Sequence, residues 1–316
     1  METVYRVGRS SGFLMALVLV ACESNTGPSD DIVPPGTILF SSNRTGDFEI
    51  FSMKADGSDV TQVTNVPGPD LIAEASPDGS KIVVESSRVG SSKLYVMNAG
   101  GVEAVNISGA NVDQHPSWSP DGRLVFSRSG RVWVADPNGT NATQGIGIPS
   151  AEYPDWSSEG ATIAFAWDNA VHPGNYEIWV GSFFSQRRLT TDPAVDYAPR
   201  ISPDGTKIVF HSNRSLGLSA SAAEVSRTLP DRQASGGPEF DIFIMDTDDG
   251  DQGTLTVPAF HPADDLFPDW SPDGEWIVFA SNRTGDSEIF VVRADGTELR
   301  NISNSPGTDT RPRWGP

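Results

Sequence analysis

The most regular feature of the chain is a unit of short apolar strands separated by polar turns, which recurs from residue 37 to the end. In residues 265–283, Ser-Pro-Asp-Gly joins a strand containing Pro and Trp to the apolar strand Trp-Ile-Val-Phe. This sequence suits a type I turn, because Pro presets φ at the second position and Gly is favoured at the fourth. The strand after the turn has the β-branched and aromatic residues of a buried strand.

Copies of this turn divide the chain into similar units. They begin at Ser76, Ser119, Ser157, Ser202 and Ser271, and a truncated copy follows Trp314. The second strand of each unit ends in an apolar column: Phe40, Val84, Phe126, Phe165, Phe210 and Phe279. The third strand carries an aromatic column: Phe51, Tyr95, Trp133, Trp179, Phe243 and Phe290. A hairpin signal such as Asp56-Gly57 then leads to a short fourth strand. Four short antiparallel strands in units of about 40–45 residues are typical of propeller blades.

The two ends of the repeat region predict how the propeller closes. The chain enters at residues 37–40, which align with a second strand, and leaves at residues 311–314, which align with a first strand. We therefore expect an all-β fold, a six-bladed β-propeller of four-stranded blades in which the C-terminal strand completes the first blade. The longest interval between turns places an insertion at residues 215–238, in the fifth blade. It is either a binding loop or a tolerated surface insertion.

Composition adds a charge constraint and a location. The 316 residues carry a formal net charge of −20, which disfavours non-specific binding to nucleic acid phosphates. Arg6 and Arg9 precede an apolar stretch at residues 13–21, too short to span a bilayer, and then Cys22, the single cysteine. Leu-Val-Ala-Cys at 19–22 resembles a lipoprotein cleavage site; an ordinary signal peptide with an incidental Cys is the alternative. We expect a signal peptide at 1–21, lipidation of Cys22, a flexible tether at 22–36 and the propeller at 37–316.

The combined motifs also resemble a known family. Pro-x-Trp-Ser-Pro-Asp-Gly, then Ile-Val-Phe-x-Ser-Asn-Arg-x-Gly-x-x-Glu-Ile-Phe, then Asp-Gly and Leu-Thr, resemble the WD40-like repeat of the TolB propeller over residues 37–316. TolB has an α/β domain before its propeller, whereas the sequence here predicts only a tether. The resemblance implies a propeller that binds a protein partner in the cell envelope, since TolB binds a peptidoglycan-associated lipoprotein. Fold is implied more strongly than function.

A column of acidic residues is the first candidate site. It lies three residues before the Pro of the first strand or its equivalent, and blade four has Ala151 there with Glu152 beside it. The five members are Asp70, Asp113, Asp196, Asp265 and Asp309. Because first strands are innermost in a propeller, these carboxylates are predicted to ring one mouth of the central channel. The ring would favour a hydrated Ca²⁺ or a Lys or Arg side chain; alternatively, each Asp accepts backbone N–H groups in its own connector.

The motifs of catalysis are weak in this sequence. His115 and His261 lie near members of the acidic column, but no His-x-x-x-His or similar spacing supports a metal centre. There is no Gly-x-Ser-x-Gly nucleophile motif, no Gly-rich phosphate loop and no basic–aromatic stripe.

We therefore expect a monomeric, lipid-anchored and non-enzymatic propeller without a resident cofactor. It would bind a protein, peptide or glycan at a channel mouth, on the periplasmic side of the outer membrane or at the cell surface. A metal-dependent lyase or hydrolase acting on polysaccharide or peptide, and a scaffold subunit of a larger envelope assembly, are the alternatives.

Overall fold

The computed structural model describes residues 36–168, 174–214, 239–251, 257–259 and 261–316, and these form strands and turns without a helix. No helix able to cross a membrane occurs in these ranges. The predicted signal peptide, Cys22, the tether as far as residue 35 and the 215–238 insertion lie outside the described residues.

The strands form six antiparallel sheets, one for each predicted blade. Blade one contains β1 (Thr37–Ser42), β2 (Glu49–Lys54), β3 (Thr61–Gln62) and the last strand of the chain, β23 (Asp309–Gly315). Blade two contains β4 (Asp70–Ala75), β5 (Lys81–Ser86), β6 (Lys93–Asn98) and β7 (Val105–Asn106). Blade three contains β8 (Asp113–Trp118), β9 (Leu124–Arg128), β10 (Arg131–Ala135) and β11 (Thr143–Ile146).

The second half of the chain repeats this order. Blade four contains β12 (Ala151–Trp156), β13 (Ile163–Asp168), β14 (Tyr176–Gly181) and β15 (Gln186–Arg188). Blade five contains β16 (Asp196–Ile201), β17 (Lys207–Ser212) and β18 (Asp241–Asp246) among the described residues. Blade six contains β19 (Asp265–Trp270), β20 (Trp276–Thr284), β21 (Asp286–Arg293) and β22 (Arg300–Asn301).

The ring closes as the sequence predicts. β23 pairs antiparallel with β1, with Trp314 opposite Ile38, so the two ends of the repeat region share blade one. The strands β4, β8, β12, β16, β19 and β23 each lie at an edge of their sheet and each contacts the next one around the ring. These six inner strands therefore surround the central channel.

The hydrophobic core lies between neighbouring blades, which explains why the middle strands are apolar on both faces. The two predicted columns stand directly opposite one another in every blade, as in Phe40 with Phe51 and Phe279 with Phe290. One cluster combines Ile38, Phe40 and Met53 of blade one with Trp276 and Val278 of blade six. Burial of such surface stabilises a fold by about 25 cal/mol for each Å² removed from water.

The conspicuous Ser-Pro-Asp-Gly motif builds hairpins, as predicted. In the copy at residues 271–274 the N–H of Gly274 donates to the carbonyl of Ser271 at 2.9 Å, and Gly274 has φ +71°. The Ser271 hydroxyl donates to the Asp273 carboxylate at 2.5 Å, while the N–H of Trp276 donates to that hydroxyl. The Asp of the motif is thus occupied by its own turn.

Candidate functional site at the mouth of the central channel

The first six residues of each inner strand can be compared from blade to blade, and a given position has the same role in nearly every blade. We number these positions one to six from the start of the strand and call the end of the channel where the inner strands begin the mouth. Position one holds the predicted aspartates, position three contributes side chains to the mouth, and position five contributes a layer of charges deeper in the channel.

The five predicted aspartates are brought into equivalent places but are buried. Asp70, Asp113, Asp196, Asp265 and Asp309 each have no exposed surface. Each pairs with an arginine at or just beyond the end of the second strand of the same blade: Arg88 (3.1 Å), Arg128 (2.6 Å), Arg214 (2.6 Å), Arg283 (2.7 Å) and Arg44 (2.7 Å), respectively. Arg128 and Arg283 contact both oxygens of their carboxylates, a geometry that strengthens an ion pair.

The arginines are themselves held by the aromatic columns. The guanidinium carbon of Arg283 lies 4.9 Å from the centroid of Phe290, and its Nε donates to Ser281. Burial raises the pKa of Asp265 to about 7, although the Arg283 guanidinium opposes that shift. Each pair ties the start of an inner strand to the middle of its blade. Ligand binding by the five carboxylates stays a prediction, and their observed partners are arginines rather than the connector N–H groups of the alternative.

A strained backbone conformation recurs at position three. His115, Tyr153, Ala198, Phe267 and Arg311 have φ between 49° and 55°, a region that residues other than Gly seldom occupy. The inner-strand pairing shifts register at the same place in these blades, for example between Gln114 and Ser117. Such bulges redirect side chains, and they are common beside functional sites.

Three of the redirected side chains, those of His115, Tyr153 and Phe267, join Tyr197 and His211 in an aromatic collar around the mouth. The rings of His115 and Tyr153 stack at 3.6 Å, and Tyr153 meets the edge of Tyr197 at 5.4 Å. His211 lies 6.1 Å from Tyr197 and 5.4 Å from Phe267. His115, Tyr153, Tyr197 and Phe267 are half-buried, so the collar offers aromatic surface to a ligand.

The histidines of the collar are neutral at physiological pH. Burial lowers the pKa of His211 to about 3, and its Nδ1 accepts a hydrogen bond from the N–H of Phe267 at 3.4 Å. Burial and the neighbouring arginines lower the pKa of His115 to about 3 as well. The collar therefore carries no histidine charge.

Below the collar, position five forms a charged layer made of Glu74, Ser117, Asp155, Arg200, Asp269 and Arg313. The guanidinium nitrogens of Arg200 lie 2.8 Å from a carboxylate oxygen of Glu74, 2.6 Å from one of Asp155 and 4.0 Å from one of Asp269. One arginine therefore interacts with acids of three other blades. The carboxylates outweigh the effect of burial and raise the pKa of Arg200. The layer crosses the channel and forms the floor of the mouth.

The acids of this layer also link neighbouring blades. Glu74, Asp155 and Asp269 lie in blades two, four and six, and each accepts a backbone N–H from the following blade. The donors are Trp118 at 2.9 Å, Ile201 at 2.7 Å and Trp314 at 2.7 Å. In every second blade, the position-five acid is thus hydrogen-bonded to the backbone of the following blade.

The possible metal centre receives no support from the geometry. Among the described residues, no group of three or more His, Cys, Asp or Glu side chains is arranged to hold a metal ion. His115 stacks in the collar, whereas the N–H of His261 lies 3.5 Å from the Asp241 carboxylate of blade five.

Sequence reasoning identified the inner strand but missed the functional importance of positions three and five. Two features of the sequence could have indicated the pairing of position one and the importance of position five. The arginine partners are present in the five blades that have the aspartate, whereas blade four has Ala151 at position one and Asn169 where most blades have Arg. Acids also alternate with Ser or Arg at position five around the ring. The positive φ at position three could not be predicted from the sequence, because no position-three residue is Gly.

Comparison with known proteins agrees with this architecture. A family model described as the TolB β-propeller domain matches residues 28–146. An uncharacterized protein of Agrobacterium fabrum is 29% identical over 207 residues, covering 64% of this chain and 61% of the relative. A TolB homolog of Chlorobium luteolum is 28% identical over 183 residues, covering 56% of this chain and 31% of the relative. The Tol-Pal system protein TolB of Bordetella pertussis is 25% identical over 234 residues, covering 64% and 51%. The chain spans less than two thirds of the length of each of these relatives.

Solved structures show the same fold. TolB from Acinetobacter baumannii superposes with a TM-score of 0.69 at 20% identity, covering 89% of this chain and 68% of that one. A putative TolB from Agrobacterium tumefaciens superposes with a TM-score of 0.63 at 17% identity, covering 90% and 99%. Its repeats, its six blades and these matches make the chain a six-bladed β-propeller that is similar to TolB-type repeat proteins.

Proposed function

We propose that the protein is a non-enzymatic binding module of the bacterial cell envelope, which holds a protein or peptide partner at the mouth of its central channel. The observation that carries this proposal is the aromatic collar. Four of its five rings are half-buried, and His115, Tyr153 and Phe267 lie on strained backbone. Aromatic anchors in a concave site dominate the energy of many protein interfaces.

The arrangement of the polar groups favours binding over catalysis. His211 is neutral and accepts a backbone N–H, and the acids of the charged layer are engaged by Arg200 and by backbone donors. A general base must be able to reach a substrate proton, which these groups do not offer. The layer instead gives the collar a rigid floor.

The envelope location is part of the same proposal. It is supported by similarity to a Tol-Pal system protein and by the basic and apolar segments before Cys22. Lipidation of Cys22 would anchor the propeller to a membrane, at the periplasmic side of the outer membrane or the cell surface. The five aspartates support the mouth in this proposal by holding the starts of the inner strands, and their direct contact with a ligand stays a separate prediction.

Affinity capture from envelope extract tests the proposal with a matched pair of variants. Tyr153→Ala/Phe267→Ala removes two collar rings, whereas Phe184→Ala removes a ring that is 95% exposed in the β14–β15 hairpin. We expect wild type and the Phe184 variant to capture the same partner, and the collar variant to bind it at least about 30-fold more weakly. Equal capture by the collar variant, with its thermal unfolding unchanged, would refute binding at the mouth.

A further inference from the structure

Two arginines of the closing strand β23 have donors at the mouth that the rest of the protein does not satisfy. Among the described residues, Nε of Arg311 and Nε of Arg313 are buried without a hydrogen-bond partner, and so is Nδ1 of His115. His115 and Arg313 line one small cavity together with Tyr153 and Arg200. Buried polar atoms in proteins are nearly always paired, so these atoms indicate where a ligand supplies the partner.

Arg313 is deeply buried but poorly paired within the protein. The residue is 3% exposed, and its NH1 donates to the carbonyl of its own neighbour Pro312 at 2.9 Å. Its contact with an acid is long, because Nε lies 3.9 Å from Glu74, whereas Arg200 approaches the same oxygen at 2.8 Å. A guanidinium has five N–H donors, and the hydrogen bond to Pro312 uses one of those of Arg313.

Arg311 is the second cation at the mouth and has fewer partners still. Its guanidinium carbon lies 5.0 Å from the centroid of Phe267, a cation–π contact that leaves the in-plane donors unused. The described residues place no carboxylate at ion-pair distance from it. Its backbone has φ +49°, part of the bulge that turns position three towards the mouth.

Three arginines lie near His115, although the chain carries a net charge of −20. Arg311, Arg313 and Arg200 all act with burial to lower the pKa of His115. Glu74, Asp155 and Asp269 of the charged layer lie below this region. Two further acids are near it: Glu85, which accepts the N–H of His115, and Glu152 of blade four, and burial raises the pKa of both. Their nearness disfavours a dianion such as phosphate more than a monoanion, because like charges repel.

We propose that Arg311 and Arg313 form a subsite for a carboxylate of the bound partner, with the rings of Tyr153 and Phe267 beside it. The partner is accordingly an acidic peptide segment that presents a carboxylate next to an apolar group. The planar guanidinium matches a carboxylate in shape as well as charge. This inference rests on the proposed function, since it names the chemistry of the partner at the same mouth.

Benzoate is a suitable probe, because it combines a carboxylate with a ring, and benzamide is its uncharged counterpart of similar shape. Binding of each is measured by saturation-transfer NMR and by calorimetry on the whole protein. We expect benzoate to bind and benzamide not to compete with it. Arg311→Gln is expected to raise the Kd of benzoate about tenfold or more. Arg123→Gln, at an exposed turn arginine paired with Asp121, is the matched control and leaves the Kd unchanged.

Equal binding of benzoate and benzamide by the wild-type protein would overturn the subsite without any need for a variant. So would an unchanged Kd in Arg311→Gln whose thermal unfolding matches wild type. If the collar variant loses its captured partner but benzoate does not bind, the carboxylate subsite fails and the proposed function stands. If benzoate binds at Arg311 but the collar variant keeps its partner, the proposed function fails instead.

Discussion

At the scale of single residues, the mouth depends on conformations and protonation states that are unfavourable in isolation. A residue other than Gly in the left-handed region costs of the order of 1–2 kcal/mol, and five position-three residues adopt it. His211 illustrates the second cost, because it is 4% exposed and remains neutral well below its ordinary pKa.

This histidine predicts a specific dependence of stability on pH. The pKa of His211 is 6.5 when unfolded and about 3 when folded. Between these values the unfolded chain binds a proton that the native protein does not, so acidification favours unfolding. From pH 7 to pH 5, we expect wild type to lose about 2 kcal/mol more unfolding free energy than His211→Gln, measured by urea denaturation at both values.

Comparison with the variant isolates this histidine from groups that act in the opposite direction. Asp196 and Asp265, with pKa values raised to about 6 and about 7 by burial, bind protons in the native state and favour folding as pH falls. They are present in both proteins, and their effects cancel in the difference. Above pH 7 the difference should be constant; parallel profiles down to pH 5 would contradict the prediction.

At the scale of the element, one six-residue inner strand performs three tasks. Position one anchors it to its own blade, position three faces the mouth, and position five lies in the charged layer. Five of the strands also have Pro at position four, where the missing N–H is tolerated because the strand is at a sheet edge and beside a bulge. Pro at an edge additionally discourages pairing with another chain.

The closing strand gives the element-scale prediction. A chain stopped at Thr310 loses Arg313 and Trp314, both buried. With them go three of the five residue pairs with β1 and the hydrogen bond to Asp269. Loss of a buried Trp side chain alone costs about 3–5 kcal/mol, so we expect a loss of at least about 5 kcal/mol of stability. Thermal unfolding is the measurement, and a chain stopped at Gly315, which lacks only the exposed Pro316, is the control. Equal melting of the two truncations would show that closure contributes little.

At the scale of the whole molecule, the acids of the inner strands have partners within the protein. Five aspartates are matched by five arginines within blades, and the acids of blades two, four and six are matched by Arg200 and by backbone donors.

Calcium titration tests the cation site predicted from the sequence. Because each of the five aspartates is already paired with an arginine, we expect no heat of Ca²⁺ binding to the whole protein in a calorimeter. The Asp113→Asn/Asp265→Asn variant should behave identically in the titration while being less stable, since two buried arginines lose their partners. Heat in wild type that disappears in this variant would instead support the predicted ion site.

The repeat by itself determined the fold. Turn residues, paired aromatic columns and incomplete units at residues 37 and 314 specified six blades and their closure, because these features act within one blade and recur at fixed spacing. It also located position one, since identical residues at equivalent positions of a repeat occupy equivalent places in their blades.

Only the tertiary structure decided what the inner strands do. Asp265 is buried against Arg283, and this pairing depends on the direction of both side chains. Arg200 contacts acids of three other blades, which depends on distances across the channel. The collar depends on a backbone bulge, and the residues at that bulge are not of a type that favours positive φ, as Gly does. Local sequence preferences determine strands and turns, whereas the mouth arises from contacts between residues far apart in the chain, which exist only after the ring has closed.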